Sequence, residues 1–300
     1  MKITLKQSGF SLLELILVIV LLGVLAGGAG LLITKPIEAY SDQLRRQHLV
    51  DQGEMALRQI ARDLRRALPN SVRVAPAGAG WALEMVNTVD GARYRDEVGG
   101  DYTAAADWLD FTAADDSFNL LGLLPTGALG PNHRLVIYNT APASIYADIT
   151  DIATPNEGIV TSGGTALGLA LVNPNPATND DENRITMAPA FRFTQQSPGQ
   201  RIFVIDGPVS YVCNPATNTL TRYDNYAYQD PQLTSDVALT GLAGVQSGAV
   251  VDQLDSCTIN YAAGTTQRGS LVSMTIVLND PAVPGERISL YHQVHVLNVP

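Results

Sequence analysis

From Phe10 to Ile33 the chain carries no polar side chain other than Ser11 and Glu14. A helix over that run rises roughly 36 Å, enough to cross a hydrocarbon core of about 30 Å. The pattern predicts a membrane-spanning helix over residues 10–33. The period then changes. Leu57, Ile60, Leu64 and Leu68 follow i, i+3, i+4 spacing, the mark of a helix with one apolar face. This second helical stretch covers residues 34–68, most strongly from Glu38, and Leu68-Pro69-Asn70 stops it. Gly27, Gly28, Gly30 and Pro36 lie between the two halves and permit a bend or local melting. Beyond Pro69, short β-prone runs alternate with Pro, Gly, Asn and Asp. They are Trp81–Val86, Trp108–Thr112, Arg134–Asn139, Ile185–Met187, Arg201–Ile205, Val209–Cys213, Thr219–Tyr223, Cys257–Tyr261, Ser270–Leu278 and Ile288–Val296. In the last, Leu290, His292, Val294 and Val296 share one face. One long helix followed by many antiparallel strands is an α+β plan, with residues 69–300 as an enlarged sheet body. Asp90–Asp107 and Thr140–Gly168 read as surface insertions.

The flank before the apolar run is basic, with Lys2, Lys6 and the start amine. Positive flanks stay in the cytoplasm, so the body is expected on the far side. An ordinary secretory signal would be shorter and uncharged, although Ala26-Gly27-Gly28 has the character of a signal cleavage site. Glu14 separates the two readings. A carboxylate inside an apolar span costs roughly 2.5–3.5 kcal/mol, and such residues have a job and a partner.

Gly9-Phe10-Ser11-Leu12-Leu13-Glu14-Leu15 resembles the prepilin leader of type IV pilins and type II secretion pseudopilins. The resemblance implies a pilin-like fold and a leader over residues 1–9. It also implies cleavage between Gly9 and Phe10 by a dedicated membrane peptidase and N-methylation of Phe10. Glu14 then becomes the fifth mature residue, a registration device that meets the terminal amine of a neighbouring subunit. Pairing a buried carboxylate in this way removes its penalty. Ala67–Arg73, Ser197–Arg201, Pro208–Cys213 and Ser289–Val296 are similar to minor pilins of the mannose-sensitive haemagglutinin (MSHA) pilus of Gram-negative bacteria. PilW-type minor pilins and J-type pseudopilins are near alternatives, and a pilus-tip adhesin is another. The implied partners are major and minor pilins, the prepilin peptidase, and an inner-membrane platform with its ATPase. The chain departs from major pilins in having glycines but no proline inside the apolar run.

Charge sharpens this picture. The net charge is −10; residues 1–68 carry nine Lys or Arg against six acids, giving +3 and leaving −13 for the remainder. Such an acidic body is unsuited to nucleic acid. Arg58, Arg62, Arg65 and Arg66 fall mostly off the apolar helix face. They are suited to anionic lipid or a partner, or to a solvated face paired with Asp51, Glu54 and Asp63. The cysteines are Cys213 and Cys257. In a reducing cytosol they would be free; with the body exported they are expected to form a disulfide.

The sequence offers little to an enzyme. It has no Gly-x-Ser-x-Gly elbow and no Walker loop, and Gly163–Gly168 lacks a following Lys. His292 and His295 fall on opposite faces of a strand, with His48 and His133 far away in sequence, so no zinc site is expected. The loop over residues 173–183 has Asp180, Asp181 and Glu182 as hard oxygen ligands for calcium, but not the spaced acids of an EF-hand. Trp81 and Trp108 are suited to core packing or to stacking on a sugar. No cofactor is expected.

Overall fold

A computed structural model describes residues 9–300 except 10, 100, 151–153, 155, 174–180, 265–268, 282 and 284. The calcium-loop expectation falls largely on residues outside that description. Helix α1 runs unbroken from Leu12 to Arg65 with Pro36 inside it. The chain divides into two compact units within this helix, between Val50 and Asp51.

The first unit is the helix up to Val50. Its large apolar side chains from Leu12 to Leu25 are all exposed. Farther along, Asp42 pairs with Arg45 and Lys35 stands 4.0 Å from Glu38, so the surface changes from apolar to charged.

The second unit holds the end of α1 together with three sheets. Leu57, Ile60 and Leu64 are buried, as is Leu68 just past the helix. That is the face their spacing predicts. Strands β1 (Arg73–Ala77), β2 (Gly80–Arg93), β8 (Arg201–Asn214), β9 (Thr219–Asp224) and β10 (Gln246–Val251) form one sheet in that order, and β4 (Arg134–Val136) also pairs with β8. β11 (Leu254–Ala262), β12 (Ser270–Asn279) and β13 (Arg287–Val296) form the second. The third has β3 (Asp115–Asn119), β7 (Glu182–Phe193), the short β5 (Glu157–Gly158) and β6 (Ala166–Val172). Pairing is antiparallel except between β5 and β7. The architecture is α+β, a long N-terminal helix whose end packs on a large antiparallel body.

Several boundaries differ from the sequence pattern, for physical reasons. Asp206-Gly207-Pro208 reads as a break, yet β8 passes through it. Asp206 is skipped in the β2–β8 register while Gly207 and Pro208 remain paired to β2. On its other side, β8 meets β4 over Phe203–Ile205 and β9 only from Ser210. Pro208 thus occupies a gap where no ladder bond is lost. Trp108–Thr112 is not a strand. A one-turn 3-10 helix, Ala105–Asp107, precedes it. Asp107 accepts from Ala104 N at 2.8 Å, and Asp110 accepts from Thr112 N at 2.7 Å. Side chains that take up local backbone donors compete with a sheet ladder.

The two expected insertions also contribute to the core. Helix α2 (Pro142–Thr150) buries Ile145 and Tyr146 against Leu68, Val86, Val136 and Ile205. Tyr94 is fully buried beside Leu109 and Phe118. A last short helix, α3 (Asp236–Thr240), buries Leu239 and is capped by Ser235.

Candidate functional site

The residues singled out by sequence at the N-terminus sit around the first turn of α1. Gly9 is exposed and non-helical, and among the described residues no other atom lies within 4 Å of where its Cβ would be. Phe10 lies outside the described residues. Ser11 caps the helix: its Oγ accepts from Glu14 N at 3.2 Å, and its carbonyl accepts from Leu15 N at 3.1 Å. Ser11-x-x-Glu14 has the spacing of a capping box, a signal the sequence reading passed over. The cap fixes where the helix begins and so places Glu14 in the first turn. There an acid also meets the positive end of the helix dipole.

Glu14 is exposed on a helix whose neighbouring side chains are exposed Leu, Ile and Val. The described large apolar residues from Leu12 to Leu25 number twelve. At roughly 1.5–3 kcal/mol each, holding them in water costs on the order of 20–30 kcal/mol. That exceeds the whole net stability of a typical domain, about 5–15 kcal/mol, so this surface requires lipid or neighbouring helices. The helix is long and apolar enough to cross a membrane.

Cys213 of β8 and Cys257 of β11 are joined as a disulfide, with Cα atoms 6.7 Å apart. The bond links the first and second sheets. Asp63, expected to pair along the helix, turns instead to the sheet: Tyr211 Oη and Arg222 Nε both donate to its Oδ2, at 2.7 and 2.8 Å. Arg58 does pair with Glu54, at 2.8 Å, and Arg62, Arg65 and Arg66 are exposed.

The other sites considered are separated or already occupied. His292 lies on the inward face of β13 while His295 is exposed. Glu182 pairs with Arg95, and Asp181 accepts from Asn173 Nδ2 at 2.6 Å. Trp81 is buried and Trp108 half-buried. Among the described residues no group of three or more His, Cys, Asp or Glu side chains is arranged to hold a metal.

One buried polar network was not foreseen. Glu84 is 1% exposed. It accepts from Arg73 Nε at 3.0 Å and from Tyr226 Oη at 3.3 Å, and Tyr226 Oη lies 2.7 Å from Ser210 Oγ. The Arg73 guanidinium stacks 3.5 Å from the Tyr146 ring centre. Burial pushes the Glu84 carboxyl up to about 6, against the pull of Arg73. In sequence Glu84 is one acid within an apolar run, and nothing local separates it from a strand's solvent face.

Residues 4–30 match the model of a family described as the prokaryotic N-terminal methylation motif. Neither a curated protein nor a solved structure matches the chain. The motif, the N-terminal helix and the sheet body together define a pilin- or pseudopilin-like architecture.

Proposed function

We propose that this chain is a minor pilin: a prepilin cut after Gly9, methylated on Phe10, and built into a type IV pilus as a structural subunit that helps begin its assembly. The observation that carries this reading is the coincidence of the methylation motif over residues 4–30 with an acid in the first turn of a helix whose large apolar side chains from Leu12 to Leu25 are exposed. In the inner membrane, lipid covers that helix and the body stands in the periplasm, where a disulfide persists. In the fibre, staggered helices cover it instead. The amine of one subunit's Phe10 then approaches Glu14 of the next. Attraction between opposite charges in a low dielectric sets the stagger.

The pilus is that of the mannose-sensitive haemagglutinin, and the chain is similar to its minor pilin MshO. Support comes from Ala67–Arg73, Ser197–Arg201, Pro208–Cys213 and Ser289–Val296. The partners are then the other pilins of that fibre, the prepilin peptidase, and the platform and ATPase that drive extrusion.

Glu14→Leu tests the role of the acid. The variant loses an insertion penalty of roughly 2.5–3.5 kcal/mol, so it should enter the membrane and be cleaved as usual. It should co-purify less with partner pilins, and cells should carry fewer fibres. Normal fibre numbers containing the variant at the usual level would refute the registration role. Co-purification with secretion pseudopilins in place of pilus subunits would replace the MSHA assignment by the J-type one.

A further inference from the structure

The gap beside β8 that accommodates Pro208 is also the mouth of a polar groove. β4 begins at Arg134, paired with Ile205, and β9 ends at Asp224, just past Tyr223 paired with Ser210. The two strands cover the same side of β8 from opposite directions and leave Asp206–Val209 bare between them. The groove there has a compartment of about 230 Å³, whose walls include Asn132, His133, Arg134, Gly163, Asp206 and Tyr228. Through Asn132, His133, Asp206 and Asn225 it continues into a second of about 440 Å³.

Arg134 sets this compartment apart. Elsewhere in the body, half-buried arginines meet carboxylates: Arg73 meets Glu84, Arg95 meets Glu182, Arg184 meets Asp107, Arg192 meets Glu157, and Arg222 meets Asp63. The Arg134 side chain makes neither an ion pair nor a hydrogen bond among the described residues, and its Nη1 is shielded without an acceptor. Its nearest compensation is the ring of Tyr228, 5.3 Å away. Tyr228 Oη is likewise shielded and unpartnered. Burial lowers the affinity of the Arg134 guanidinium for its proton and raises that of the Tyr228 hydroxyl, and each offsets the other only in part. At Gly163 any Cβ would come 2.6 Å from Arg134 Nη2; the lack of a side chain there makes room for the guanidinium. A cation held unpaired beside an open compartment is arranged for an anion from outside.

We propose that this groove binds an acidic saccharide, a sugar bearing a carboxylate of the uronic acid type, with its carboxylate on Arg134. A bare carboxylate would satisfy Arg134 but lie near Asp206, whose charge repels it. A sugar ring carries hydroxyls that donate as well as accept. Asp206 uses Oδ1 to accept from Asn87 Nδ2 at 2.8 Å and has Oδ2 for a hydroxyl. Asn132 is an exposed amide that presents both donors and an acceptor, and Asn225, whose Nδ2 donates to Gly244 O at 2.7 Å, adds its amide oxygen. The larger compartment beyond is lined by Asn87, Asp224 and Gln246, which suit a further sugar unit.

The test is equilibrium dialysis of the detergent-solubilised full-length chain against D-glucuronate, D-glucose and acetate. Glucuronate should bind with roughly tenfold or greater preference over glucose and over acetate, the difference expected of one charge-assisted contact. Arg134→Gln should reduce glucuronate binding to the level of glucose, and the exposed Asn132→Ala should weaken it severalfold while leaving the fold intact. Equal binding of acetate and glucuronate would overturn the saccharide and leave a simple carboxylate site. Equal binding of glucose and glucuronate, no binding of either, or an Asn132→Ala chain that binds as the parent does would each overturn the proposal.

Discussion

Glu84 shows what a single buried acid does to this fold. Its carboxyl titrates near 6 because burial outweighs the attraction of Arg73, against 4.5 for an unhindered glutamate. A carboxyl that holds its proton longer when folded favours the fold below about 4.5, and that contribution is lost as pH rises through about 6. The span is on the order of 2 kcal/mol. Glu84→Gln should therefore shrink the change in unfolding free energy between about pH 4.5 and pH 7.5 by roughly 2 kcal/mol, measured by chemical denaturation at both pH values. An unchanged difference would show that Glu84 titrates alike in the folded and unfolded chain. Residue identity alone does not reveal such a role. Asp63 has the same composition-level signature as Asp51, yet it bridges Tyr211 and Arg222 while Asp51 is exposed. The difference lies in strands that are far away in sequence.

At the scale of elements, the seating of α1 depends on a missing side chain. Gly53 is buried, and a Cβ there would come 2.3 Å from Leu290 Cδ1 of β13 and 3.0 Å from Leu278 Cδ1 of β12. Replacing a helical glycine by alanine ordinarily gains about 1 kcal/mol of helix propensity, and by valine less. Here Gly53→Val should instead destabilise the body by roughly 1–3 kcal/mol through overpacking, read as a lower denaturation midpoint. A gain in stability would mean that the helix and these two strands are not in close contact. The helical half of the fold was legible because its signals are local: an unbroken apolar run, then one apolar face through Leu57, Ile60 and Leu64. The same holds for β13, whose alternation matches its inward face. β1, β3, β6 and β10 were missed because their residues, such as Arg73-Val74-Ala75-Pro76-Ala77, have weak strand preference and are held by their partners. α2 was missed because nine residues give too little periodicity to separate from loop.

Over the whole molecule, two features fit an exported body on a membrane helix. One is the Cys213–Cys257 bond, which closes a separation of 44 residues. Chain entropy gives a loop of that size about 4 kcal/mol of stabilisation. The native chain should therefore show no free thiol without reductant, and Cys213→Ser with Cys257→Ser should lower stability by roughly 2–5 kcal/mol; two reactive thiols in the untreated protein would contradict the pairing. The other feature is the exposed apolar run of α1, long and apolar enough to cross a membrane. Of the candidate site, Gly9, Phe10 and Glu14 were legible as a linear motif. The helix cap from Ser11 was written in the same seven residues. The groove at Arg134 was not, because it forms where β4 and β9 part along β8.

The most direct measurement of the central claim is the intact mass of the protein extracted from membranes of cells that express the full assembly system. Processing as a prepilin predicts a chain that begins at Phe10, carries one added methyl group, and retains the entire apolar helix. A chain that begins after Gly28 would show an ordinary secretory signal and contradict the pilin reading.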